Sequence, residues 1–173
     1  MQYLKKSSAE ILEGFECGIP VMDHFIQNFL DTFLQKDPRY SFYVATENEF
    51  GIVAMFVISD GIFVDYDEEF ADLPFGKPWG YMDDDFQLRS GTMYPTLEID
   101  YLAVRKDLRE KGFGTEIIAE LSERARQKSC FFLTVDAYHD RKYSAIPFYE
   151  KQGFFPLQEY SEDCDTLRMA LRV

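Results

Sequence analysis

The chain has 173 residues, of which 46% are hydrophobic and 17% aromatic, and this is enough for one globular domain with its own core. Its 31 acidic and 18 basic residues give a net charge of −13, which repels polyanions and attracts cations, so we do not expect nucleic acid as a partner. No apolar run approaches the roughly 20 residues of a membrane helix and the N-terminus lacks the apolar core of a signal peptide, so we expect a cytoplasmic protein outside the membrane.

The first helix is predicted over Ile19 to Gln35, where apolar residues recur at helical spacing and Pro20 falls in the first turn, which tolerates proline. Two antiparallel strands, 40–46 and 50–59, are expected next, because both segments are rich in β-branched and aromatic residues and a short acidic turn separates them. Between about residues 60 and 95, prolines, glycines and acidic clusters replace this pattern. This composition indicates a long acidic loop or insertion.

The remainder of the chain is predicted to contain four strands and two helices. In chain order these are strand 96–104, helix 115–128, strand 130–137, helix 145–152 and strands 154–157 and 166–173. The first three form a βαβ unit. We expect Ser144 to cap the short helix and Gly153 to end it in a left-handed conformation. The pattern predicts an α/β (α+β) fold, a single domain over 1–173 with a mixed central sheet of about six or seven strands flanked by helices.

Neither the histidines nor the cysteines indicate a metal site. His24 falls in the first helix and His139 in a loop, and neither has a second histidine at metal-ligand spacing. Cys17, Cys130 and Cys164 are widely separated and odd in number. They therefore predict buried free thiols and not a disulfide framework.

A glycine-rich segment, Arg109-Glu110-Lys111-Gly112-Phe113-Gly114, separates the strand ending Leu102-Ala103-Val104 from the helix beginning at Thr115; we call it the glycine turn. Glycines let a ligand approach the backbone closely, and the first amides of the following helix have no internal partner and lie at its positive end. Such a turn can hold phosphate. Alone the pattern R/Q-x-x-G-x-G/A is weak, because it occurs by chance in roughly one chain of this length in six.

Three features taken together resemble the GNAT superfamily of acetyl-CoA-dependent N-acetyltransferases. They are the strand 97–104, the glycine turn and the segment 145–154, which reads A-I-P-F-Y-E-K-Q-G-F. The likeness covers about residues 40–155 apart from the acidic segment. It implies an acyltransferase that uses acetyl-CoA as co-substrate and acts on an amine acceptor. The Walker A and Rossmann glycine patterns do not occur in the sequence.

The resemblance also implies where the coenzyme binds. The backbone amides of Arg109 to Thr115 would hold the pyrophosphate, and Leu102 and Val104 would offer strand-edge hydrogen bonds to the pantetheine arm and the acetyl carbonyl. Charge-assisted hydrogen bonds contribute roughly 1.5 to 3 kcal/mol each, so several amides can hold a pyrophosphate even on an acidic protein. One family contact is not implied here, because an asparagine often found before the second motif is Lys142 in this chain.

Acetyl transfer to an amine requires a base for the amine and an acid for the departing thiolate. The resemblance suggests Tyr149 as the acid, because a phenol with a pKa near 10 can protonate a thiolate as it leaves. Glu98 is the candidate base, in a strand similar to the one that carries the catalytic glutamate of histone acetyltransferases. Asp100 is a second candidate on the same strand face, and two acids there could raise one pKa toward neutrality. Alternatively, these carboxylates bind a cationic substrate or face solvent.

A stretch near the N-terminus, Phe15 to Ile26, resembles the F-x-C-G-x-x-x-L-D-x-F/W-L pattern of GNAT toxins that acetylate aminoacyl-tRNA. Those toxins have a basic face for RNA, whereas this chain is strongly acidic. A helix start with a tight Cys-Gly turn and core aromatic residues is the simpler interpretation.

Three functions therefore stay open. The first is acetyl transfer to a primary amine of a small molecule, peptide or protein, with cationic acceptors favoured if the acidic clusters 65–69 and 83–85 surround the acceptor cleft. The second is a toxin-like acetyltransferase acting on aminoacyl-tRNA, and the third is a non-catalytic acetyl-CoA-binding regulatory module. A homodimer is compatible with the sequence, which gives no further sign of oligomeric state.

Overall fold

A computed structural model of the protein describes residues 1–64, 93–157 and 164–173. Within these residues, seven strands form one mixed sheet accompanied by four α-helices. The strands are β1 (Gln2–Lys6), β2 (Ser41–Glu47), β3 (Gly51–Val64), β4 (Met93–Val104), β5 (Phe132–Tyr138), β6 (Phe155–Pro156) and β7 (Thr166–Arg172). The helices are α1 (Pro20–Asn28), α2 (Leu30–Lys36), α3 (Phe113–Gln127) and α4 (Ile146–Lys151). The predicted fold class is confirmed.

The strands follow the order β1-β2-β3-β4-β5-β7-β6 across the sheet. β2 and β3 form the predicted antiparallel hairpin, with Cα partners running from Ser41 and Ile58 to Glu47 and Gly51. β1 pairs antiparallel with β2, and β7 pairs antiparallel with both β5 and β6. The strand β1 was not predicted, because its sequence QYLKK is mostly polar and the strand lies at the sheet edge, where side chains need not alternate.

The single helix predicted over Ile19 to Gln35 is wrong in one respect, because the chain breaks it at Phe29. This residue has φ −126° and ψ −21°, ends α1 and precedes α2, and its side chain is 52% exposed. The amide of Phe29 still donates to Phe25 O at 2.9 Å, and the amide of Phe33 donates to Phe29 O at 2.8 Å. Helical spacing therefore continues across the break, so the apolar pattern could not reveal it.

Two further expectations need correction. β3 continues to Val64 and β4 begins at Met93, so strand residues stand at both ends of the segment predicted as a loop. The rest of that segment, with the acidic clusters 65–69 and 83–85, lies outside the described residues. Of the three cysteines only Cys17 is fully buried, whereas Cys130 is half-buried and Cys164 is exposed. Cysteine is small and its spacing along the chain does not report its surroundings, so the sequence could not tell which of the three is buried.

The histidines lie where the pattern placed them. His24 is exposed on α1, and His139 follows β5, where it is buried and forms an isolated bridge with Ser144. Across the described part of the chain, no group of three or more potential metal-ligating side chains comes together.

The chain divides into two compact units, and the boundaries fall inside β3, β4 and α3. The first unit comprises Met1–Asp60 and Ile99–Ala119, and the second comprises Gly61–Glu98 and Glu120–Val173. The first has a core of Leu12, Phe15, Cys17, Ile26, Leu30, Phe42, Val44, Met55, Val57 and Ala103. A buried cluster in the second contains Tyr94, Phe132, Phe155, Leu157 and Ala170. None of the described helices has the length and apolar character that crossing a membrane would require.

Helix α4 begins and ends almost as predicted. Ala145 occupies the N-cap position instead of Ser144, although the Ser144 hydroxyl still accepts a hydrogen bond from the Ile146 amide at 3.3 Å. At the other end Gly153 adopts φ +89°, as expected for a left-handed helix end. The amide of Gly153 donates to Glu150 O at 2.9 Å, and the next amide, of Phe154, donates to Tyr149 O at 3.1 Å. These two bonds form a Schellman motif.

Replacing Gly153 by alanine should destabilise the protein by about 1 kcal/mol, because a Cβ disfavours the left-handed conformation. The added Cβ would lie 3.5 Å from Leu171 Cδ1, an ordinary contact, so the loss should come from the backbone. Gly153→Asn should lose less, since asparagine tolerates this conformation better. Urea unfolding measures both variants, and an alanine variant as stable as the wild type would contradict this account.

Candidate active site

The glycine turn follows a short 3-10 turn, Lys106–Leu108, that was not predicted, and it leads into helix α3 as predicted. The helix begins at Phe113, two residues earlier than expected, so the last two residues of the turn already belong to it. Two residues of the glycine turn have positive φ, Glu110 at 61° and Gly112 at 91°. An added Cβ at Gly112 would meet nothing within 4 Å, so the space beside this glycine is open. The turn therefore combines a left-handed backbone with room for a ligand.

Helix α3 presents unpaired amides at its start. The amide of Glu116 donates to Gly112 O at 3.1 Å, and the amides of Phe113, Gly114 and Thr115 come before this bond, so they have no partner within the helix. The helix is 15 residues long, and its dipole adds positive potential at this end. Amides and dipole together form the geometry that binds phosphate groups at helix N-termini.

The strand end before the turn is fixed by Arg105. Its Nη1 donates to two carbonyls at the start of the neighbouring strand β3, Phe50 O at 2.8 Å and Ile52 O at 2.9 Å, and its own amide donates to Val53 O at 2.8 Å. The ring of Phe50 also contacts the glycine turn, because Lys111 Nζ lies 5.4 Å from its centroid. The β2–β3 connection thus supports both β4 and the turn that follows it.

Alternation along β4 places Ala103 in the core, 4% exposed, and leaves Leu102 and Val104 half-buried on the opposite face. Their hydrogen bonds to a pantetheine arm stay a prediction.

Glu98 has a cationic partner that the sequence did not reveal. Its Oε1 accepts a hydrogen bond from Arg168 Nη2 at 2.6 Å, and Arg168 Nη1 lies 3.2 Å from Asp136 Oδ2. The three side chains come from β4, β7 and β5, and those of Glu98 and Arg168 are 25% and 29% exposed. The Glu98 side chain also lies over Gly61, where an added Cβ would fall 2.3 Å from Oε1. Glu98 is therefore oriented by an ion pair between residues 70 positions apart.

Asp100 is half-buried two residues further along β4. Next to it, burial raises the pKa of the Tyr101 phenol, and the negative charge of Asp100 adds to that effect. Neither observation assigns a catalytic role to Asp100, which stays a candidate.

Tyr149 lies on α4 and is only 6% exposed. Its ring makes edge contacts with Phe148 and Phe154, with centroids 5.1 Å away in each case. Burial raises the pKa of the phenol well above its usual value, and the nearby Tyr143 adds to this shift. Tyr149 is therefore protonated at physiological pH, the form that a proton donor needs.

In the N-terminal stretch Phe15 to Ile26, a compact turn at Cys17-Gly18 precedes helix α1 and is closed by Asp23. The carboxylate of Asp23 accepts hydrogen bonds from two backbone amides, Cys17 N at 2.7 Å and Gly18 N at 2.9 Å. Phe15 and Cys17 lie in the core of the first unit, and Gly18 has φ +79°. The predicted Cys-Gly turn is confirmed, with an aspartate as its acceptor.

A sequence model of the acetyltransferase (GNAT) family matches residues 10–154. The chain belongs to the GNAT acetyltransferase family. No curated protein matches it.

Solved structures share the GNAT fold at low sequence identity. A structure described as a bacterial toxin matches with a TM-score of 0.68 at 16% identity, covering 99% of this chain and 90% of the other. One described as AtaTR bound with AcCoA matches with a TM-score of 0.63 at 18% identity, covering 98% and 92%. AtaT complexed with acetyl-methionyl-tRNAfMet matches with a TM-score of 0.60 at 18% identity, covering 96% and 94%.

The buried thiol of this GNAT protein gives its stability a pH dependence. Burial raises the pKa of Cys17 to about 11, and Asp23 contributes to the rise. The unfolded chain releases this proton at lower pH than the folded protein, so the stabilisation is complete below the ordinary thiol pKa and is lost as the pH rises toward 11.

We expect ionisation of the Cys17 thiol to lower the free energy of unfolding by about 2 kcal/mol as the solution becomes alkaline. Denaturant unfolding at a series of pH values measures the slope. In Cys17→Ala the slope should be smaller, whatever the absolute stability, and an unchanged slope would show that another group is responsible.

Proposed function

We propose that the chain transfers the acetyl group of acetyl-CoA to a primary amine. The observation that carries the proposal is the unpaired amides at the start of α3 beside the open space at Gly112, in a chain of the GNAT family. The amides of Arg109 to Thr115 would bind the pyrophosphate. The strand end at Leu102, Ala103 and Val104 would receive the pantetheine arm, as in the family that the sequence resembles.

The chemistry is one transfer within a ternary complex. The neutral amine attacks the thioester carbonyl carbon, a C–N bond forms, and the resulting tetrahedral intermediate collapses with breakage of the C–S bond. The leaving thiolate takes the phenolic proton of Tyr149, while the amine nitrogen gives a proton to a base, either directly or through water. Glu98 and Asp100 are the candidate bases. The products are the acetylated amine and coenzyme A.

Calorimetry with acetyl-CoA is the first test. We expect saturable binding to the wild-type protein, and no binding at about 1 mM ligand would overturn the proposal. Binding without release of coenzyme A across a panel of amines would instead support the non-catalytic regulatory module.

Tyr149→Phe should lower kcat by about 100-fold or more and leave the affinity for acetyl-CoA nearly unchanged, because the variant removes only the transferable proton. Thiol release measures turnover, and calorimetry measures affinity. Tyr40→Phe is the matched control, since it also removes one hydroxyl from a packed ring, whose centroid lies 4.1 Å from that of Phe33. A Tyr149→Phe enzyme with the wild-type rate would exclude this residue as the acid.

Two observations favour a more specific second candidate, a toxin-like enzyme acting on aminoacyl-tRNA. The Phe15 to Ile26 stretch resembles that toxin pattern, and AtaT, a protein of the same fold, has been solved with acetyl-methionyl-tRNAfMet. The α-amino group of an aminoacyl ester is itself a primary amine, so the chemistry would be the same. The net charge of −13 opposes tRNA binding and favours cationic amines. The cytoplasmic location stays a prediction with either acceptor.

The acceptor can be decided by giving the enzyme labelled acetyl-CoA with either cationic amines or aminoacyl-tRNA. From the net charge we expect acetylation of cationic amines in preference to neutral amines of similar size, with a preference that weakens as salt is added. Transfer of the acetyl label to aminoacyl-tRNA, together with growth arrest on expression that Tyr149→Phe relieves, would establish the second candidate instead. Healthy growth with active enzyme would count against it.

A further inference from the structure

The turn closed by Asp23 contacts the chain immediately before the glycine turn. The amide of Lys106 donates to Glu16 O at 2.9 Å, and Lys106 Nζ pairs with the Glu16 carboxylate. Gly18 lies so close that an added Cβ would fall 3.2 Å from Lys106 Cβ. The sequence stretch that resembled a toxin pattern is thus packed against the approach to the proposed pyrophosphate site.

The position of this contact depends on Asp23. Its two carboxylate oxygens each accept one backbone amide, from Cys17 and Gly18, and the residue belongs to the first turn of α1. Since these are charge-assisted bonds to consecutive amides, they fix the left-handed Gly18 and the carbonyl of Glu16 before it. A change at Asp23 is therefore transmitted to Lys106.

From Lys106 the chain reaches the glycine turn in a few residues. Lys106 begins the 3-10 turn, in which the Leu108 amide donates to Arg105 O at 2.9 Å and the Leu108 side chain is buried at 1% exposure. Arg109, the first residue of the glycine turn, follows directly. Arg105 is held from the other side by the carbonyls of Phe50 and Ile52. The segment Arg105-Lys106, which leads into the glycine turn, is therefore held by contacts on two sides. The turn closed by Asp23 provides the contacts on one side.

We infer that Asp23 is a positioning residue for the pyrophosphate of the acyl donor, acting through the Cys17-Gly18 turn and Lys106 on the glycine turn. This inference rests on the proposed function for the identity of the donor. It assigns to the N-terminal stretch a part in donor binding, whichever amine is the acceptor.

Steady-state kinetics with two donors tests the inference. For Asp23→Ala we expect the KM for acetyl-CoA to rise about tenfold, while kcat/KM for acetyl-pantetheine, which lacks the pyrophosphate, changes little. Asp23→Asn should be intermediate, because its amide oxygen can still accept one of the two bonds. Asp31→Ala is the matched control: Asp31 also accepts a backbone amide in the same unit, but its donor is Ala9 N, at 2.6 Å, and not an amide of the Cys17-Gly18 turn.

Equal losses with both donors, or the same loss in Asp31→Ala, would show a merely structural role and overturn the inference. An unchanged KM would also overturn it. If Asp23→Ala does not fold, Asp23→Asn serves instead with the same two donors, because its amide oxygen keeps one of the two bonds that close the turn.

Hydrogen exchange of the ligand-free protein separates this inference from the proposed function. The amides of Leu108 and Glu116, which are hydrogen-bonded around the glycine turn, should exchange faster in Asp23→Ala than in Asp31→Ala. If exchange is faster in Asp23→Ala but the wild-type protein binds no acetyl-CoA, Asp23 does position the glycine turn and acetyl-CoA is not the donor. Unchanged exchange in a protein that does bind acetyl-CoA would overturn the positioning alone.

Discussion

Everything proposed for this protein depends on a backbone constraint at the start of α3. A helix cannot pair its own first amides, so Phe113, Gly114 and Thr115 must find partners elsewhere or remain in water. The left-handed Gly112 turns the chain into the helix and leaves open space beside it. Donors grouped at one point and already oriented have little entropy to lose on binding an anion.

This constraint explains how a strongly acidic chain can hold a coenzyme that carries several phosphates. The net charge of −13 acts over long distances, where salt screens it beyond about 8 to 10 Å. The amides and the helix dipole act within hydrogen-bond distance of the ligand, where screening is weak. Under the proposed function, global charge would therefore affect how a ligand approaches and which acceptor is favoured, whereas the local backbone would determine whether the pyrophosphate is held.

Local patterns in the sequence were sufficient for the elements that position the site. The β2–β3 hairpin, the strand-turn-helix around Gly112 and the left-handed Gly153 each depend on neighbouring residues, and each was predicted. Contacts between residues far apart in the sequence were not predicted. Nothing in the sequence joins Glu98 to Arg168, 70 positions away, or Glu16 to Lys106, 90 positions away. The roles of Tyr149, Glu98 and Asp100 stay predictions for a related reason, because chemistry depends on the substrate as well as on the fold.

The Schellman motif at the end of α4 has a consequence for Tyr149 itself. The carbonyl of Tyr149 accepts hydrogen bonds from the amides of both Gln152 and Phe154, at 3.0 and 3.1 Å, so the backbone of the proposed acid is tied into the helix end. A helix of only six residues gives little rigidity of its own, and the closing turn supplies what it lacks. If Tyr149 is the acid, the precision of its proton transfer would originate in a glycine four positions away, which has no side chain to take part in the reaction.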